Sequence, residues 1–339
     1  MNLQERIDTL VALGKHLSSE DEYLKAVMSR SQYNNGWFTI ENQTLAAHSI
    51  ADNFLQREAL EAWANYYAVT EPAQRKRVGI VAAGNIPLVG FHDMLSVFLV
   101  GHTTVFKPSD KDKYLLPYVF TKAIKDINPD AAKYVEQVER LRDFDAVIAT
   151  GSNNTARYFE AYFGKYPNII RKNRNAVAIL DGNETKEELV ALGQDVFQYF
   201  GLGCRNVSKL YVPENYDFVP LLEALHEYKE IVLNSKYKNN FDYHYAVYML
   251  NRMEYKANGC VMLRENEAIA SPIANLYYEH YEDVTSLKKH LAERSEEIQM
   301  LVGKYEVDGL RQADFGKAQQ PHLRDYADGV DTIAFLLTL

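Results

Sequence analysis

Apolar residues along the first seventy positions recur at intervals of three and four. The clearest row consists of Leu3, Ile7, Leu10, Leu13 and Leu17. This spacing predicts amphipathic helices whose apolar faces pack on a core. The polar run 19–22 predicts a capped start for the second helix. We therefore expect the N-terminal part to be a helical scaffold.

The pattern changes at Lys76, where short β-rich runs alternate with turns and helical stretches. Strands are predicted at 77–82, 103–106, 146–150, 176–180, 208–212, 260–263, 299–302 and 330–337. Helices are predicted at 186–200 and 284–296. The succession of strand, loop and helix is typical of parallel α/β architecture. A chain of 339 residues is long enough for two such lobes.

Composition narrows the class of protein. The 47% of hydrophobic and 24% of charged residues are ordinary for a soluble globular chain. A net charge of −9 disfavours a nucleic-acid partner. The longest apolar stretch, 86–106, is interrupted by His92, Asp93 and His102, so no membrane span is expected. Because there is no secretory signal and there are only two cysteines, we expect the protein in the reducing cytoplasm.

Candidate chemistry lies in loops that follow the predicted strands. The loops at 84–85, 107–109 and 151–152 would stand at the carboxyl ends of parallel strands, where open α/β sheets bind ligands. The sequence has no glycine fingerprint for a dinucleotide, no phosphate loop and no metal-binding motif. No metal is therefore expected.

Cys204 is the candidate nucleophile because of its neighbours. Gly201 and Gly203 remove side chains around the sulfur, and Arg205 would favour a thiolate. An isolated cysteine is more often an inert apolar residue. Cys260, at the start of a strand-like run, is expected to be such a structural residue.

Four segments of the chain, taken in order, carry a resemblance to a known family. They are Gly-Asn-Ile-Pro at 84–87, 101–109 ending in Lys-Pro-Ser, Thr-Gly-Ser at 150–152, and Gly-Leu-Gly-Cys at 201–204. Together they resemble the aldehyde dehydrogenase superfamily and, more closely, its fatty acyl-CoA reductase branch of the LuxC type. The resemblance covers most of residues 76–339 and implies an aldehyde-dehydrogenase-like α/β fold with two parallel-sheet lobes.

The resemblance also implies an organisation and a set of roles. N-terminal helices and a Rossmann-like NAD(P)-binding domain would occupy 1–175, a catalytic domain 176–315, and a C-terminal segment, 316–339, would return to the first lobe. Asn85 and the backbone N–H of Cys204 would donate to the oxygen of a tetrahedral adduct. The residues implied to bind NADPH or NADH are Lys107, Ser109, Gly151 and Ser152. Turn chemistry, a solvated loop and a helix cap remain alternative explanations for these loops.

Departures from the superfamily pattern indicate the direction of the reaction. The segment 170–176 lacks the carboxylate with which oxidising members release the acyl group by hydrolysis, and loss of a general base slows such a step. The expected reaction is therefore reduction of an acyl-CoA or acyl-carrier thioester to an aldehyde. A CoA-acylating or oxidative aldehyde dehydrogenase, and an acyl- or nucleotide-binding subunit without turnover, remain open. A homodimer or smaller assembly is expected.

Overall fold

A computed structural model describes residues 1–339, apart from the side chain of Asn153. The chain forms two compact units. The first comprises Met1–Asn173 together with Pro321–Leu339, and the second comprises Arg174–Gln320. Residues 316–320 therefore belong with the second unit.

The helices and strands follow the alternation that the sequence pattern predicts. The helices are α1 (Leu3–Leu17), α2 (Glu22–Asn34), α3 (Ile40–Phe54), α4 (Arg57–Tyr66), α5 (Phe91–Val100), α6 (Leu115–Pro117), α7 (Ile124–Ile127), α8 (Asn153–Phe163), α9 (Lys186–Phe197), α10 (Phe218–His226), α11 (Ser235–Leu250), α12 (Val284–Glu293) and α13 (Thr332–Leu337). The strands are β1 (Arg77–Val81), β2 (Thr103–Lys107), β3 (Val135–Gln137), β4 (Ala146–Thr150), β5 (Asn168–Arg171), β6 (Asn175–Ile179), β7 (Val207–Pro213), β8 (Lys256–Ala257), β9 (Met262–Glu265), β10 (Asn275–Tyr281), β11 (Ile298–Val302) and β12 (Gln312–Ala313).

The first unit is built on a parallel sheet in the order β3-β2-β1-β4-β5. Strand β1 lies in the middle, and its Val78 and Ile80 are almost completely buried. Helix α5, which packs on β1 and β2, is buried on nearly every side. The apolar run of β1 is typical of a central strand in a parallel sheet.

The last residues of the chain complete the first unit. The Trp63 indole N–H donates to the Tyr326 hydroxyl over 2.9 Å. A buried ion pair joins Arg171 to Asp93 over 2.7 Å, and the same guanidinium donates to the Thr332 hydroxyl over 2.9 Å. The hydrogen bonds to Tyr326 and Thr332 thus link the C-terminal segment to the rest of the unit.

The predicted strand at 330–337 is wrong, because Thr332–Leu337 forms helix α13. The Asp331 side chain caps this helix at its N-terminus. Ile333 and Leu336 are fully buried, and the helix packs on α5. A short apolar run fits a strand or a buried helix equally well, and here the cap and the packing surface decide.

The second unit is built on a sheet in the order β12-β11-β6-β7-β10-β9-β8. Among its described pairings, only β8 with β9 is antiparallel. One face of the sheet packs on α12 through a cluster that includes Val177, Ile179, Leu291 and Leu301. Within the described part of the chain, no helix combines the length and apolar character that a membrane crossing needs.

Some element boundaries differ from the sequence prediction. Helix α2 begins after Asp21, whose side chain accepts the Leu24 N–H, so the cap lies later than the start of the 19–22 run. The helix predicted at 186–200 ends at Phe197 and gives way to a turn. The sequence pattern does not predict strands β3, β5, β8, β10 and β12. The shifts at the two helices arise at element ends, where local capping competes with continued helix.

Candidate functional site

Three of the predicted loops lie at the carboxyl edge of the first sheet. Lys107, the last residue of β2, pairs with Val81 at the end of β1, and Val81 pairs with Ala149 near the end of β4. Strands β2 and β4 lie on opposite sides of β1. The chain therefore leaves β1 towards β2 on one side and leaves β4 towards β5 on the other. Open parallel sheets bind ligands at such a switch point.

Asn85 lies half-buried in the loop between β1 and α5. Further along this loop, Leu88 and Gly90 adopt left-handed conformations with φ of 61° and 90°, which turn the chain sharply into the helix. The Leu88 N–H donates to the carboxylate of Asp112 over 3.2 Å. The loop that carries Asn85 is thereby tied to the segment after β2.

Asp112 is a residue of this edge that sequence reasoning missed. Its side chain is 1% exposed and also accepts the N–H groups of Leu115 and Leu116, each over 3.2 Å. Burial raises the pKa of Asp112, while its three backbone hydrogen bonds oppose the rise. An acidic residue three positions before an apolar helical turn is the capping signal that would have found it.

Lys107 and Ser109 lie on the loop that follows β2. Lys107 is exposed and Ser109 is half-buried. The Ser109 hydroxyl oxygen accepts the Lys111 N–H over 3.2 Å. A Cβ at Gly84 would come within 2.4 Å of the same oxygen. Glycine is therefore required at 84, because the loop after β1 packs against the loop after β2 there.

Gly151 and Ser152 connect β4 to α8. The Ser152 hydroxyl caps this helix by accepting the Thr155 N–H over 3.3 Å. A Cβ at Gly151 would meet the side chains of Thr155 and Phe159 at 3.0 Å, so these residues of α8 pack closely against the glycine. The turn places the N-terminus of α8 at the carboxyl edge of the sheet, and such a terminus favours a phosphate group.

In the second unit, Cys204 lies on a turn directly before β7, at the amino edge of the sheet. The residue is half-buried. The Asn206 N–H donates to the Gly203 carbonyl over 3.1 Å and closes the turn 203–206. A Cβ at the buried Gly203 would meet Asn206 Oδ1 at 2.9 Å and Gln319 Nε2 at 3.4 Å. The space before the cysteine therefore accommodates glycine only.

The backbone before this turn is strained. Tyr199, Phe200 and Gly201 have consecutive left-handed φ angles of 53°, 60° and 73°. Residues other than glycine rarely adopt this region, and strain of this kind is concentrated at functional sites. After the cysteine, the Arg205 guanidinium Nη1 lies 3.9 Å from the sulfur of Met300.

The second cysteine has different surroundings. Cys260 is fully buried, with its sulfur 3.5 Å from the Leu225 carbonyl oxygen and 3.3 Å from Asn258 Oδ1. Burial raises the pKa of the Cys260 thiol to about 11. A thiol with such a pKa is protonated at neutral pH and is a poor nucleophile.

Asp195, near the end of α9, is a second buried carboxyl that the sequence did not indicate. It accepts the N–H groups of Gly316 over 2.6 Å and Ala318 over 3.0 Å. Burial raises the pKa of Asp195 from 3.8 to about 6, against the lowering effect of these two bonds. The carboxyl thus anchors the segment that carries Gln319 beside the cysteine turn.

We expect Asp195 to make the stability of the protein depend on pH. Because its folded pKa exceeds its unfolded pKa, its stabilising contribution is complete below pH 4 and is lost as the pH rises through about 6. The rise from 3.8 to about 6 corresponds to about 3 kcal/mol of unfolding free energy. The thermal unfolding temperature of the wild type, relative to that of Asp195→Asn, should therefore fall as the pH rises from about 4 through about 6.

Asp314→Asn is the matched control, because Asp314 is an exposed carboxyl group of the same segment. Its difference from wild type should stay constant from pH 4 to pH 7. A constant difference for Asp195→Asn as well would contradict the assignment.

Among the described side chains, no group of three or more histidine, cysteine, aspartate or glutamate residues is arranged to hold a metal ion. No family profile matches the sequence. No curated protein matches it either. Similarity to known proteins is found in the fold.

Solved structures of aldehyde dehydrogenases match the chain over most of its length. The aldehyde dehydrogenase KauB from Pseudomonas aeruginosa matches with a TM-score of 0.65 and 14% identity, over 93% of this chain and 76% of that one. The indole-3-acetaldehyde dehydrogenase AldA from P. syringae, in complex with NAD+ and IAA, gives 0.64 and 12%, over 91% and 74%. The NADP-dependent glyceraldehyde-3-phosphate dehydrogenase from Bacillus halodurans, complexed with NADP, gives 0.61 and 13%, over 89% and 74%.

The chain therefore has the fold of the aldehyde dehydrogenases. The predicted fold class, an α/β fold with two parallel-sheet lobes, is confirmed. At these sequence identities the likeness concerns the fold alone, and the roles of individual residues are matters for experiment.

Proposed function

We propose that the chain is an NAD(P)H-dependent reductase that converts an acyl thioester to an aldehyde through a thioacyl intermediate on Cys204. The observation that carries the proposal is a half-buried cysteine on a glycine-flanked turn, preceded by strained backbone, in an aldehyde dehydrogenase fold. We propose kinship with the acyl-CoA reductase branch because of the four segments that resemble it.

The proposed reaction begins with attack of the Cys204 thiolate on the thioester carbonyl carbon. A carbon–sulfur bond forms, and the carbonyl electron pair moves onto oxygen. Collapse of this adduct breaks the bond to the leaving thiolate of CoA or a carrier, and leaves a thioacyl enzyme. The backbone N–H of Cys204 and the Asn85 side-chain amide are the proposed donors to the adduct oxygen.

The residues at the carboxyl edge of the first sheet fit a nicotinamide dinucleotide. Lys107 is an exposed cation at the end of β2, and Gly151 and Ser152 lead directly into the N-terminus of α8. We propose that Gly151 and Ser152 border the pyrophosphate, and that Lys107 and Ser109 lie towards the adenosine ribose. NADH or NADPH, when bound, would supply hydride to the thioacyl carbonyl. The same oxygen donors would then hold the second oxyanion until the bond to Cys204 breaks and the aldehyde leaves.

The absence of a carboxylate from one segment of the chain favours the reductive direction. In 170–176 there is no carboxylate to activate water, so hydrolysis of the thioacyl enzyme should be slow. The intermediate would then persist until hydride or a thiol reaches it. The proposed roles of Cys204 and Asn85 also permit the reverse, CoA-acylating reaction.

The test is a direct assay of the purified protein. Consumption of NADH or NADPH should require an acyl-CoA, and aldehyde should form in equal amount. Short, medium and long acyl chains would identify the preferred substrate. Oxidation of an aldehyde by NAD(P)+ without CoA would instead indicate a hydrolytic dehydrogenase. An acyl group that stays on Cys204 in the presence of either reduced cofactor would indicate a binding protein.

A further inference from the structure

Asn206 lies at the centre of a hydrogen-bond network that defines the cysteine turn. Its side chain is 1% exposed. Its Oδ1 accepts the Gly203 N–H over 2.8 Å, and its own backbone N–H donates to the Gly203 carbonyl over 3.1 Å. The backbone N–H and the carbonyl group of Gly203 are therefore both hydrogen-bonded to Asn206. Cys204 lies in the turn that these two hydrogen bonds close.

The amide nitrogen of the same side chain holds the end of α9. It donates to the carbonyl oxygens of Asp195 and Gln198, each over 2.9 Å, and more weakly to that of Val196 over 3.4 Å. These carbonyls lie at the end of the helix, where no further helical partner is available. Asn206 thus fixes the point from which the strained residues 199–201 begin.

The position of Asn206 itself is fixed by the sheet. Its carbonyl oxygen accepts the Ala176 N–H over 3.1 Å, and Val207, the next residue, begins β7. The turn is therefore anchored to β6, to the end of α9 and to itself. A buried amide that uses both its oxygen and its nitrogen in this way orients the backbone strongly.

We propose that Asn206 is a positioning residue that holds the Cys204 sulfur and backbone N–H in the orientation needed for acyl transfer. The inference rests on the proposed nucleophilic role of Cys204. Asn206 would position Cys204 through the backbone, because the Asn206 side chain is hydrogen-bonded to Gly203 and to the end of α9. A small displacement of a reacting group lowers the rate of acyl transfer by up to about 100-fold.

The experiment compares two reactions of the same sulfur in the intact protein. Acyl transfer from 4-nitrophenyl acetate passes through an oxyanion and needs no nicotinamide cofactor. Alkylation by iodoacetamide forms no oxyanion. Both rate constants are measured, and peptide mapping by mass spectrometry assigns the modification to Cys204. In Asn206→Ala, acylation should fall about 100-fold, whereas alkylation should change less than about threefold.

Asn258 offers the matched control for this substitution. Its Oδ1 accepts the N–H groups of Cys260 and Val261, each over 3.1 Å, and its Nδ2 donates to the Leu222 carbonyl over 2.8 Å. It therefore supports the other cysteine with the same kind of network. Asn258→Ala should leave both reactions of Cys204 within about twofold of wild type.

A second variant keeps the test decisive if Asn206→Ala does not fold. Asn206→Ser retains an oxygen that can accept the Gly203 N–H but cannot reach the carbonyls of α9, so acylation should fall about tenfold. Wild-type acylation rates in both variants would overturn the inference, as would an equal fall in acylation and alkylation. If wild-type Cys204 reacts with the nitrophenyl ester but no thioester supports NAD(P)H consumption, the proposed function fails, and the two variants still decide the role of Asn206.

Discussion

Replacement of Cys204 by alanine is expected to abolish acyl transfer. Without the sulfur there is no thioacyl intermediate, and thioester-dependent consumption of NAD(P)H should fall at least about 1,000-fold. Binding of the reduced cofactor should persist, because the residues proposed to hold it lie in the first unit. Intact-protein mass spectrometry after incubation with an acyl-CoA should show an adduct in the wild type only.

The matched control is Cys260→Ala. Its sulfur is buried and its pKa is raised to about 11, so its removal should leave the acyl adduct intact and activity per folded molecule within about twofold. Fluorescence titration with NADPH separates loss of chemistry from loss of cofactor binding in both variants. Full turnover by Cys204→Ala would refute the proposed mechanism.

Replacement of Asn85 by alanine is expected to slow turnover strongly. Removal of one donor to a developing oxyanion costs about 3 kcal/mol in the transition state, or about 100-fold in kcat/KM. Because the donor matters most when the oxygen carries charge, the loss should appear in kcat, with KM for the thioester little changed. Steady-state kinetics with a fixed acyl-CoA would measure both parameters.

Asn183→Ala provides the comparison for that experiment, since Asn183 is an exposed loop asparagine of the second unit. It should retain the kinetic constants of the wild type. Single-turnover acylation, followed by the release of free thiol, would show whether Asn85 acts already in the first step. An Asn85→Ala enzyme with an unchanged kcat would remove Asn85 from the proposed mechanism.

Part of the architecture could be predicted because its determinants are local. The strand at 146–150 agrees with β4, and the strand predicted at 103–106 differs from β2 by one residue, because both are short apolar runs bounded by turn residues. Glycine at 84 and 151 marked loops, and the neighbouring side chains that an added Cβ would meet explain why these positions are glycine. The unusual glycine-flanked setting of Cys204 was likewise visible in the sequence.

Other features depend on partners that are distant in sequence. Asp195 binds backbone N–H groups of Gly316 and Ala318, about 120 positions away, and no local pattern shows which carboxyl will be buried in this way. Asn206 looked like an ordinary residue between a turn and a strand until the end of α9 and β6 were placed against it. Their burial, and with it the shifted pKa of Asp195, exists only in the folded chain.

The sequence by itself determined the alternation of strands and helices, the loops that end the strands and the candidate nucleophile, because periodicity, turn chemistry and residue type are local properties. Tertiary structure decided that 332–337 is a helix, since its apolar residues pack on α5 behind the Asp331 cap. It also decided how the cysteine turn is held, because a buried hydrogen bond acquires its strength and direction only when folding excludes water from both partners.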